Sequence, residues 1–427
     1  MGAEAVASVT LRPVSTLRPF RALRPSAGLA ARVASPPYDV VSSAEARAAA
    51  GSDPDSYFRV SRPEVGLPEG TDEHADVVYA QAGVALLDLI ARGTLVEDEH
   101  PGFWLYGQRL GTHAQVGIVA LASVREYDEN VIRKHEKTRP DKEDDRTRHI
   151  DTLGAHDEPV FLTYRAHPTL SALVGRLTAA PPVEDFTTSD GVRHTIWAVP
   201  AEDARAIEAS FAANVPTLYV ADGHHRSAAA SRVHALRAGE EGAHDAFLAV
   251  VFPHDQMQIL PYNRLVRDDQ SRSPDDLLQL LRERFDLVPA ASADPPAKGV
   301  FGAYVGGKWY HATIRQGSFD STDAVASLDC SLVQDQLLAP VFGIQDPRTD
   351  VRIAFVGGIR GTRELERRVR EDGFAMGLAL YPTSIDQLLR VSDEDRLMPP
   401  KSTWFEPKLR SGLFAHRFAP PRGNRAT

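Results

Sequence analysis

The chain has 427 residues, which exceeds one comfortable hydrophobic core and predicts two or three subdomains. Asp and Glu outnumber Lys and Arg by 58 to 48, and the net charge of −10 argues against broad nonspecific binding to nucleic acid or to an anionic membrane. The sequence has no run of about 18 uncharged apolar residues, and its Arg- and Pro-rich N-terminus lacks the apolar core of a signal peptide, so we expect a cytoplasmic protein without a membrane span.

The first half of the chain alternates predicted helices and strands. The first sixty residues are rich in Pro and Arg and favour an extended segment, whereas residues 72–93 predict an amphipathic helix that stops at Gly93. Two strands follow, over 103–110 and 115–124. A densely charged stretch then occupies 125–158, after which the apolar pattern of a strand returns.

The second half continues the alternation. A helix near 201–213 precedes a strand that ends at Asp222, and a second helix begins immediately afterwards. A capped helix is predicted to start after Ser273-Pro274. The remaining predicted elements are strands at 247–253 and 258–266, two strands around Gly306-Gly307, a helix near 324–339, a strand at 351–358 and a helix at 361–371.

This mixed order of elements predicts an α/β to α+β fold, with mixed sheets and flanking helices. Residues 287–299 are rich in Ala, Pro and Asp, a composition that suits a surface connection. We therefore predict an N-terminal and central body over 1–286 and a C-terminal α/β subdomain over 287–427.

The most informative segment is VPTLYVADGHHRSAAASRVHAL, residues 215–236, which predicts strand, tight turn and helix. Backbone N–H groups in the first turn of a helix, together with the positive end of its dipole, attract anions. Arg226 adds a planar charged fork suited to phosphate. Alternatively, Asp222 is only an N-cap and the basic residues are a solvated helix start. Because basic side chains in a first turn oppose the dipole, we favour a phosphate-binding turn.

Two other segments carry residues suited to phosphate chemistry. In the charged stretch, Lys and Arg can neutralise phosphate oxygens, and a His or Glu can accept a proton. The candidates there are His135, Glu136, Thr138, Lys142 and Arg146, and the alternative is a surface charge run with internal ion pairs. In the near-terminal run LMPPKSTWFEPKLRSGL the candidates are Lys401, Ser402, Thr403 and Lys408, and the alternative is an aromatic attachment of the C-terminus to the core.

The segment PPYDV offers Tyr38 as a hydrogen-bond donor and Asp39 as a ligand of a metal or an amine, unless the segment only shapes a turn. No zinc site made by the protein alone is expected. His224 and His225 point about 100° apart on a helix, and Arg139 stands where an HExxH motif needs its second His. Mg²⁺ held partly by substrate phosphates needs only one or two carboxylates.

Seven motifs together identify the chain as resembling the DUF1015 family along nearly its whole length: RPFRALRP, PPYDV, HEKTRPDKEDDR, ADGHHR, LDCSLVQDQLL, DPRTD and MPPKSTWFEPKLRSGL. The ADGHHR box is also similar to the phosphate-binding box of the ParB/sulfiredoxin superfamily, which includes free serine kinases. That resemblance implies a ParB/sulfiredoxin-like nucleotide-binding core with an additional subdomain. It also implies a phosphotransferase or phosphohydrolase acting on serine or O-phosphoserine, with ATP or ADP and Mg²⁺.

The resemblance also implies roles for individual residues. Phosphate would be held at Gly223, His224, His225 and Arg226, and Asp222 would orient the turn or a magnesium ion. From the chemistry of the residues themselves we expect Glu136 to be the general base, with His135 as the other candidate, and Lys142 and Arg146 to stabilise charge. His224 and His225 are also catalytic candidates, and Ser227 joins the phosphate contacts. At Asn263 the sequence departs from the His expected in the family.

Two other functions remain as alternatives. A ParB-like nucleotide-binding regulator would need a basic DNA-reading domain, which the acidic composition does not favour. Sulfiredoxin-like chemistry would need a reactive cysteine, but the single cysteine, Cys330, lies in an apolar run that predicts burial. We therefore expect a small-molecule partner rather than nucleic acid or membrane. The sequence leaves the direction of phosphate transfer and the oligomeric state open.

Overall fold

The computed structural model describes residues 15–422, which form two compact units. The first unit contains the described parts of 1–133, 138–256 and 407–427, and the second contains 134–137 and 257–406. This division differs from the predicted 1–286 and 287–427. The Ala- and Pro-rich stretch 287–299 connects strands of one sheet rather than two subdomains. The amino-acid composition around residue 407 gives no sign that the chain returns to the first unit there.

The strands are numbered in chain order. They are β1 (Leu17–Arg18), β2 (Leu23–Pro25), β3 (Leu95–Glu97), β4 (Trp104–Leu110), β5 (His113–Ser123), β6 (Ile132–Arg133), β7 (Ala155–His156), β8 (Val160–Tyr164), β9 (Glu184–Thr187), β10 (Arg193–Ala198), β11 (Leu218–Asp222), β12 (Ala246–Pro253), β13 (Ile259–Leu260), β14 (Tyr262–Val266), β15 (Asp286–Pro289), β16 (Val300–Val305), β17 (Lys308–Thr313), β18 (Ile353–Gly357), β19 (Met376–Ala379), β20 (Trp404–Phe405) and β21 (His416–Arg417).

The α-helices are numbered in the same way. They are α1 (Ala30–Val33), α2 (Ser43–Ala50), α3 (Phe58–Ser61), α4 (Asp76–Ala91), α5 (Val124–Asp128), α6 (Pro140–Leu153), α7 (Pro168–Leu177), α8 (Ala201–Asn214), α9 (His224–Leu236), α10 (Pro274–Arg284), α11 (Asp329–Val333), α12 (Ala339–Phe342), α13 (Gly361–Glu371) and α14 (Ile385–Asp393). Short 3₁₀ turns lie at Pro63–Gly66, His254–Gln256 and Gly358–Arg360, and a π-helical turn lies at Gln334–Leu338.

The first unit is built on a mixed nine-stranded sheet. Its strands lie in the order β6-β11-β8-β12-β5-β4-β10-β9, and β1 pairs with β5. β11 runs parallel to β6 and antiparallel to β8, whereas β12 runs parallel to β8. Apolar residues of β5, β8, β11 and β12 share one core with α8. Burial on that scale contributes most of the favourable free energy of folding.

The second unit contains a six-stranded antiparallel sheet in the order β15-β17-β16-β19-β14-β18, and β13 pairs with β20. Leu265 and Val356 from the sheet pack against Leu365 of α13. Together the two units form a mixed α/β structure, which confirms the predicted fold class. Between residues 15 and 422, no helix combines the length and apolar character that crossing a membrane requires.

Most predicted elements are present, but one helix was placed too early. The helix expected near 324–339 begins as α11 at Asp329. Before it, the carboxylate of Asp323 accepts hydrogen bonds from the N–H groups of Val325 and Ala326, at 2.8 and 2.7 Å. This side-chain-to-backbone bonding fixes a turn and competes with helix formation.

Candidate active site in the first unit

The site begins at the turn between β11 and α9. Gly223 lies between them with φ +93°, in the left-handed region that favours glycine. The Oδ1 atom of Asp222 accepts a hydrogen bond from the Gly223 N–H at 3.0 Å, and the first helical hydrogen bond runs from the Ser227 N–H to the Gly223 carbonyl at 3.0 Å. Gly223 is therefore the N-cap residue, and no side chain caps the helix. The alternative in which Asp222 serves only as the N-cap does not fit this geometry.

The turn requires glycine for two reasons. An added Cβ at Gly223 would sit at a backbone angle that other residues rarely adopt, 3.2 Å from the Cζ atom of Arg226. We expect Gly223→Ala to lower the free energy of unfolding by about 1–2 kcal/mol. Urea unfolding checks this, with Gly175→Ala as the control, because Gly175 is in a helix with open space at its Cβ position and ordinary φ. A Gly223→Ala protein as stable as the control variant would contradict the strained turn.

Lys408 is the cation that lies against this turn. Its Nζ atom is 3.0 Å from the Oδ2 atom of Asp222, and the two side chains are 15% and 27% exposed. Burial by itself would raise the pKa of Asp222, but Lys408 and Arg226 outweigh it and hold that pKa well below its usual range. Both oxygens of Asp222 are thus engaged by the turn and by Lys408. This carboxylate holds the turn through the Gly223 N–H.

Arg226 extends inward from the first turn of α9. Its side chain is buried, and its Nη1 group donates a hydrogen bond to the carbonyl of Pro159. Burial lowers the pKa of Arg226, but Glu158, Asp39 and Asp222 raise it further than burial lowers it. The guanidinium therefore stays charged and lies among carboxylates, as a buried cation requires.

Glu158 is the acid that the sequence analysis missed. It precedes β8 and is buried, and its Oε1 atom accepts hydrogen bonds from the Tyr38 N–H at 3.0 Å and from the Ser411 hydroxyl at 2.7 Å. Its Oε2 atom has no hydrogen-bond partner within residues 15–422. Burial raises the pKa of Glu158 to about 7, although Arg226 opposes that shift. Its position beside Pro159 at the start of a strand was the only signal that the sequence offered.

Helix α6 adds Arg146, whose guanidinium lies 4.0 Å from the centre of the Tyr38 ring and 2.8 Å from the carboxylate of Asp145. Burial lowers the pKa of Arg146, but Tyr38 and Asp145 more than compensate. Lys142 lies one turn earlier on the same helix and lines a small polar cavity with Tyr38 and Arg146. Tyr38, Arg146 and Lys142 are thus brought together.

Next to these residues lies a buried contact between a histidine and an aspartate that was not predicted. The Nε2 atom of His149 is 3.1 Å from the Oδ2 atom of Asp157, and both side chains are almost fully buried. Burial raises the pKa of Asp157, but His149 and Arg146 lower it further, so the carboxylate stays ionised. The pair places another anion directly before Glu158 in the chain.

Three other predicted residues of the first unit make hydrogen bonds within it. The Nε2 atom of His225 accepts a hydrogen bond from the Arg139 N–H at 3.1 Å, so this nitrogen carries no proton and His225 is neutral in that arrangement. The Ser227 hydroxyl donates to the carbonyls of Gly223 and His224, at 3.3 and 3.1 Å. The Thr138 hydroxyl donates to Glu143. His224 is buried, and Asp39 is exposed.

The remaining predicted residues belong to the second unit. The carbonyl of His135 accepts a hydrogen bond from the Met398 N–H at 2.7 Å, and Glu136 follows it. Lys401 is exposed at φ +57°, with its Nζ atom 5.4 Å from the centre of the Tyr262 ring. Ser402 is buried, and its hydroxyl donates to the Pro399 carbonyl at 2.6 Å. Thr403 is partly buried. Their participation in one site with the β11–α9 turn stays a prediction.

Two other buried residues of the second unit bear on the alternatives. Cys330 lies 3.1 Å from the Ser402 hydroxyl, and burial raises the pKa of its thiol, which disfavours the reactive thiolate that sulfiredoxin-like chemistry needs. Asn263, at the position where the family pattern suggests His, accepts a hydrogen bond from the Leu380 N–H at 3.1 Å. This contact joins neighbouring strands and gives Asn263 a structural role.

The first unit of this mixed α/β protein thus contains a strand–glycine–helix turn, and comparison with known families is more specific. The chain belongs to the DUF1015 family, described as "Protein of unknown function", whose model matches residues 17–331. Lys408 and Ser411 lie beyond the matched residues. No curated protein matches the chain.

Several solved structures are similar to this chain at low identity. SbnI with a C-terminal truncation, from Staphylococcus aureus, has a TM-score of 0.39 and 11% identity, with 72% of this chain and 90% of that chain covered. A free serine kinase in complex with AMP has a TM-score of 0.37 and 9% identity, covering 71% and 92%. A conserved hypothetical protein from Pyrococcus furiosus has a TM-score of 0.35 and 8% identity, covering 70% and 94%.

Proposed function

We propose that the protein is a nucleotide-dependent phosphotransferase that acts on serine or O-phosphoserine and holds phosphate at the start of α9. The observation that supports this most is the placement of Lys408 at the Gly223 turn, 3.0 Å from Asp222. An ammonium group at the positive end of a helix is unfavourable without an anion nearby. Asp222 supplies one negative charge, and a phosphate dianion would add the charge that the helix start and Lys408 attract.

The residues have complementary roles in this proposal. Backbone N–H groups at the start of α9 and the Lys408 ammonium stabilise charge on the phosphate oxygens. In the kinase direction, the serine hydroxyl oxygen forms a bond to the γ-phosphorus as the bond from that phosphorus to the bridging oxygen breaks, and ADP leaves. The hydroxyl proton goes to a general base, for which Glu136 is our candidate and His135 the other one. Most of the catalysis would be positioning and electrostatic stabilisation.

The reaction itself is tested directly. Purified protein with Mg²⁺ is incubated with ATP and serine, or with ADP and O-phosphoserine, and the products are followed by ³¹P nuclear magnetic resonance. We expect phosphoryl transfer in at least one direction. Hydrolysis of O-phosphoserine without nucleotide would identify a phosphohydrolase instead. Nucleotide binding without any turnover would favour the ParB-like regulatory alternative and contradict the proposal.

Replacing Lys408 tests the phosphate contact. We expect Lys408→Met to weaken ADP binding about 10- to 100-fold, because a charge-assisted hydrogen bond contributes about 1.5–3 kcal/mol. Isothermal titration calorimetry measures this change. Lys308→Met is the matched control, since Lys308 is exposed on β17 of the second unit. The Lys308→Met protein should bind ADP as tightly as the wild type does. Equal affinities for the Lys408→Met and Lys308→Met proteins would remove Lys408 from the site.

A further inference from the structure

Glu158 is held in one orientation by only one of its two oxygens. Its Oε1 atom accepts both the Tyr38 N–H and the Ser411 hydroxyl, which come from opposite ends of the sequence. Its Oε2 atom is buried and has no hydrogen-bond partner within residues 15–422. A buried carboxylate oxygen without a donor is costly when ionised. The geometry therefore leaves Oε2 as a place where a proton can reside.

Arg226 is the cation that offsets the cost of ionising the buried Glu158 carboxylate. Its guanidinium donates to the carbonyl of Pro159, the residue that directly follows Glu158, and Glu158 makes the strongest charge interaction with it. Asp39 and Asp222 also interact with Arg226. The buried guanidinium thus interacts electrostatically with three carboxylates, of which Glu158 is the most deeply buried.

Other charged groups around Glu158 come from each element packed against it. They are Asp39 beside Tyr38, Arg146 and the His149–Asp157 pair at and after α6, and Arg226 on α9. Asp157 is ionised, and Asp39 is exposed. An additional negative charge at the start of α9 would compete with Glu158 for Arg226, because Glu158 and Arg226 are both buried and charges interact strongly where water is excluded.

We propose that Glu158 is the internal counter-ion of Arg226 and that it takes up one proton when a phosphate binds at the start of α9. This inference rests on the proposed function, because it requires phosphate to bind at that turn. The bound anion takes over part of the charge interaction of Arg226. Glu158 then becomes neutral by protonation at Oε2, and the proton comes from the solvent.

The direction of the pH effect follows from the position of Glu158. In the free protein its pKa is raised to about 7 by burial, and a bound anion raises it further. Below pH 7 the Glu158 carboxyl group is protonated in the free protein and in the phosphate-bound protein, so its contribution to affinity is independent of pH. Above pH 7 binding requires proton uptake, so affinity falls by up to about tenfold per pH unit until the pKa of the bound state is reached.

The experiment is ADP binding at pH 8.0, measured by calorimetry in two buffers that differ in ionisation enthalpy, which gives the number of protons taken up. We compare the wild type with Glu158→Gln, which keeps the shape of the protonated acid. Because the titration of ADP is the same in both measurements, it cancels in the difference. We expect the wild type to take up more protons than the variant, by up to about one per ADP.

Glu99→Gln is the control, because Glu99 is exposed, and it should match the wild type. Circular dichroism and urea unfolding verify that Glu158→Gln is folded, and its ADP affinity should vary less between pH 7 and 9 than that of the wild type. Equal proton uptake by folded wild type and Glu158→Gln overturns the inference while ADP binding still supports the proposed function. Absence of ADP binding to the wild type overturns both.

Discussion

Replacing Arg226 with Ala is expected to lower the free energy of unfolding by about 3–5 kcal/mol, because it removes one member of a buried set of charges. The guanidinium bonds to the Pro159 carbonyl and interacts with Glu158, Asp39 and Asp222. Without it, buried carboxylate charge is uncompensated and the Pro159 carbonyl loses a donor. Urea unfolding at pH 8 measures the loss, because Glu158 is largely ionised there.

Two further variants separate the effect of losing the Arg226 charge from the effect of losing its side-chain packing. Arg232 lies six residues later on α9, and its side chain is 42% exposed in an ion pair with Asp144, so Arg232→Ala should change stability little. Combining Arg226→Ala with Glu158→Gln should recover part of the loss, because the unpaired carboxylate is then neutral. If Arg226→Ala unfolds at the same urea concentration as Arg232→Ala, the buried charge set does not contribute as described.

Acidification is expected to destabilise the first unit from pH 6.5 downward through three buried histidines. Burial lowers the pKa of His156 to about 3, of His194 to about 3 and of His416 to about 4. The unfolded chain binds protons at these residues near pH 6.5, whereas the folded protein does not until the lower values are reached. Their stabilising contribution is complete above pH 6.5 and is lost as pH falls, by about 2 kcal/mol per histidine at pH 5.

A single substitution isolates this effect from other titrations. Glu158 acts in the opposite direction, since its raised pKa favours the folded state as pH falls from 7 toward its ordinary value. We therefore compare the wild type with His416→Gln, whose amide can still donate to the Ala243 carbonyl that His416 contacts at 3.1 Å. The stability difference between pH 7.5 and pH 5 should be about 2 kcal/mol smaller in the variant. His100→Gln, at an exposed position, should behave like the wild type; equal pH dependence in all three proteins would contradict the assignment.

Sequence reasoning located the features that depend on neighbouring residues. The β11–α9 turn was predicted at the correct residues because an apolar run, a glycine and a helical pattern follow each other directly. Ser273 was likewise predicted to start α10, where it forms a capping box with Asp276. Lys142 and Arg146, which were named as candidates, both lie on α6, and their spacing of four residues places them on one face of that helix.

The rest of the site could not be read from the sequence because its contacts join distant segments. Glu158 is ordinary in composition, and its significance comes from Tyr38 and Ser411, which lie 120 and 253 residues away. Lys408 was a candidate, but nothing local indicated that it pairs with Asp222. The predicted boundary between 286 and 287 differs from the two compact units for the same reason, since 407–422 belongs to the first unit although it follows the second unit in the chain.

The distance along the chain between Asp222 and Lys408 also sets an order of events during protein synthesis. The two residues are 186 positions apart, so at 5–20 residues per second Lys408 leaves the ribosome about 10–40 s after Asp222 does. During that interval the nascent chain carries the strand, the glycine turn and α9 without the ammonium group of Lys408 or the hydroxyl of Ser411. The complete set of charges is therefore assembled only after Lys408 and Ser411 have been synthesised, and a nascent chain that does not yet contain them lacks the finished site.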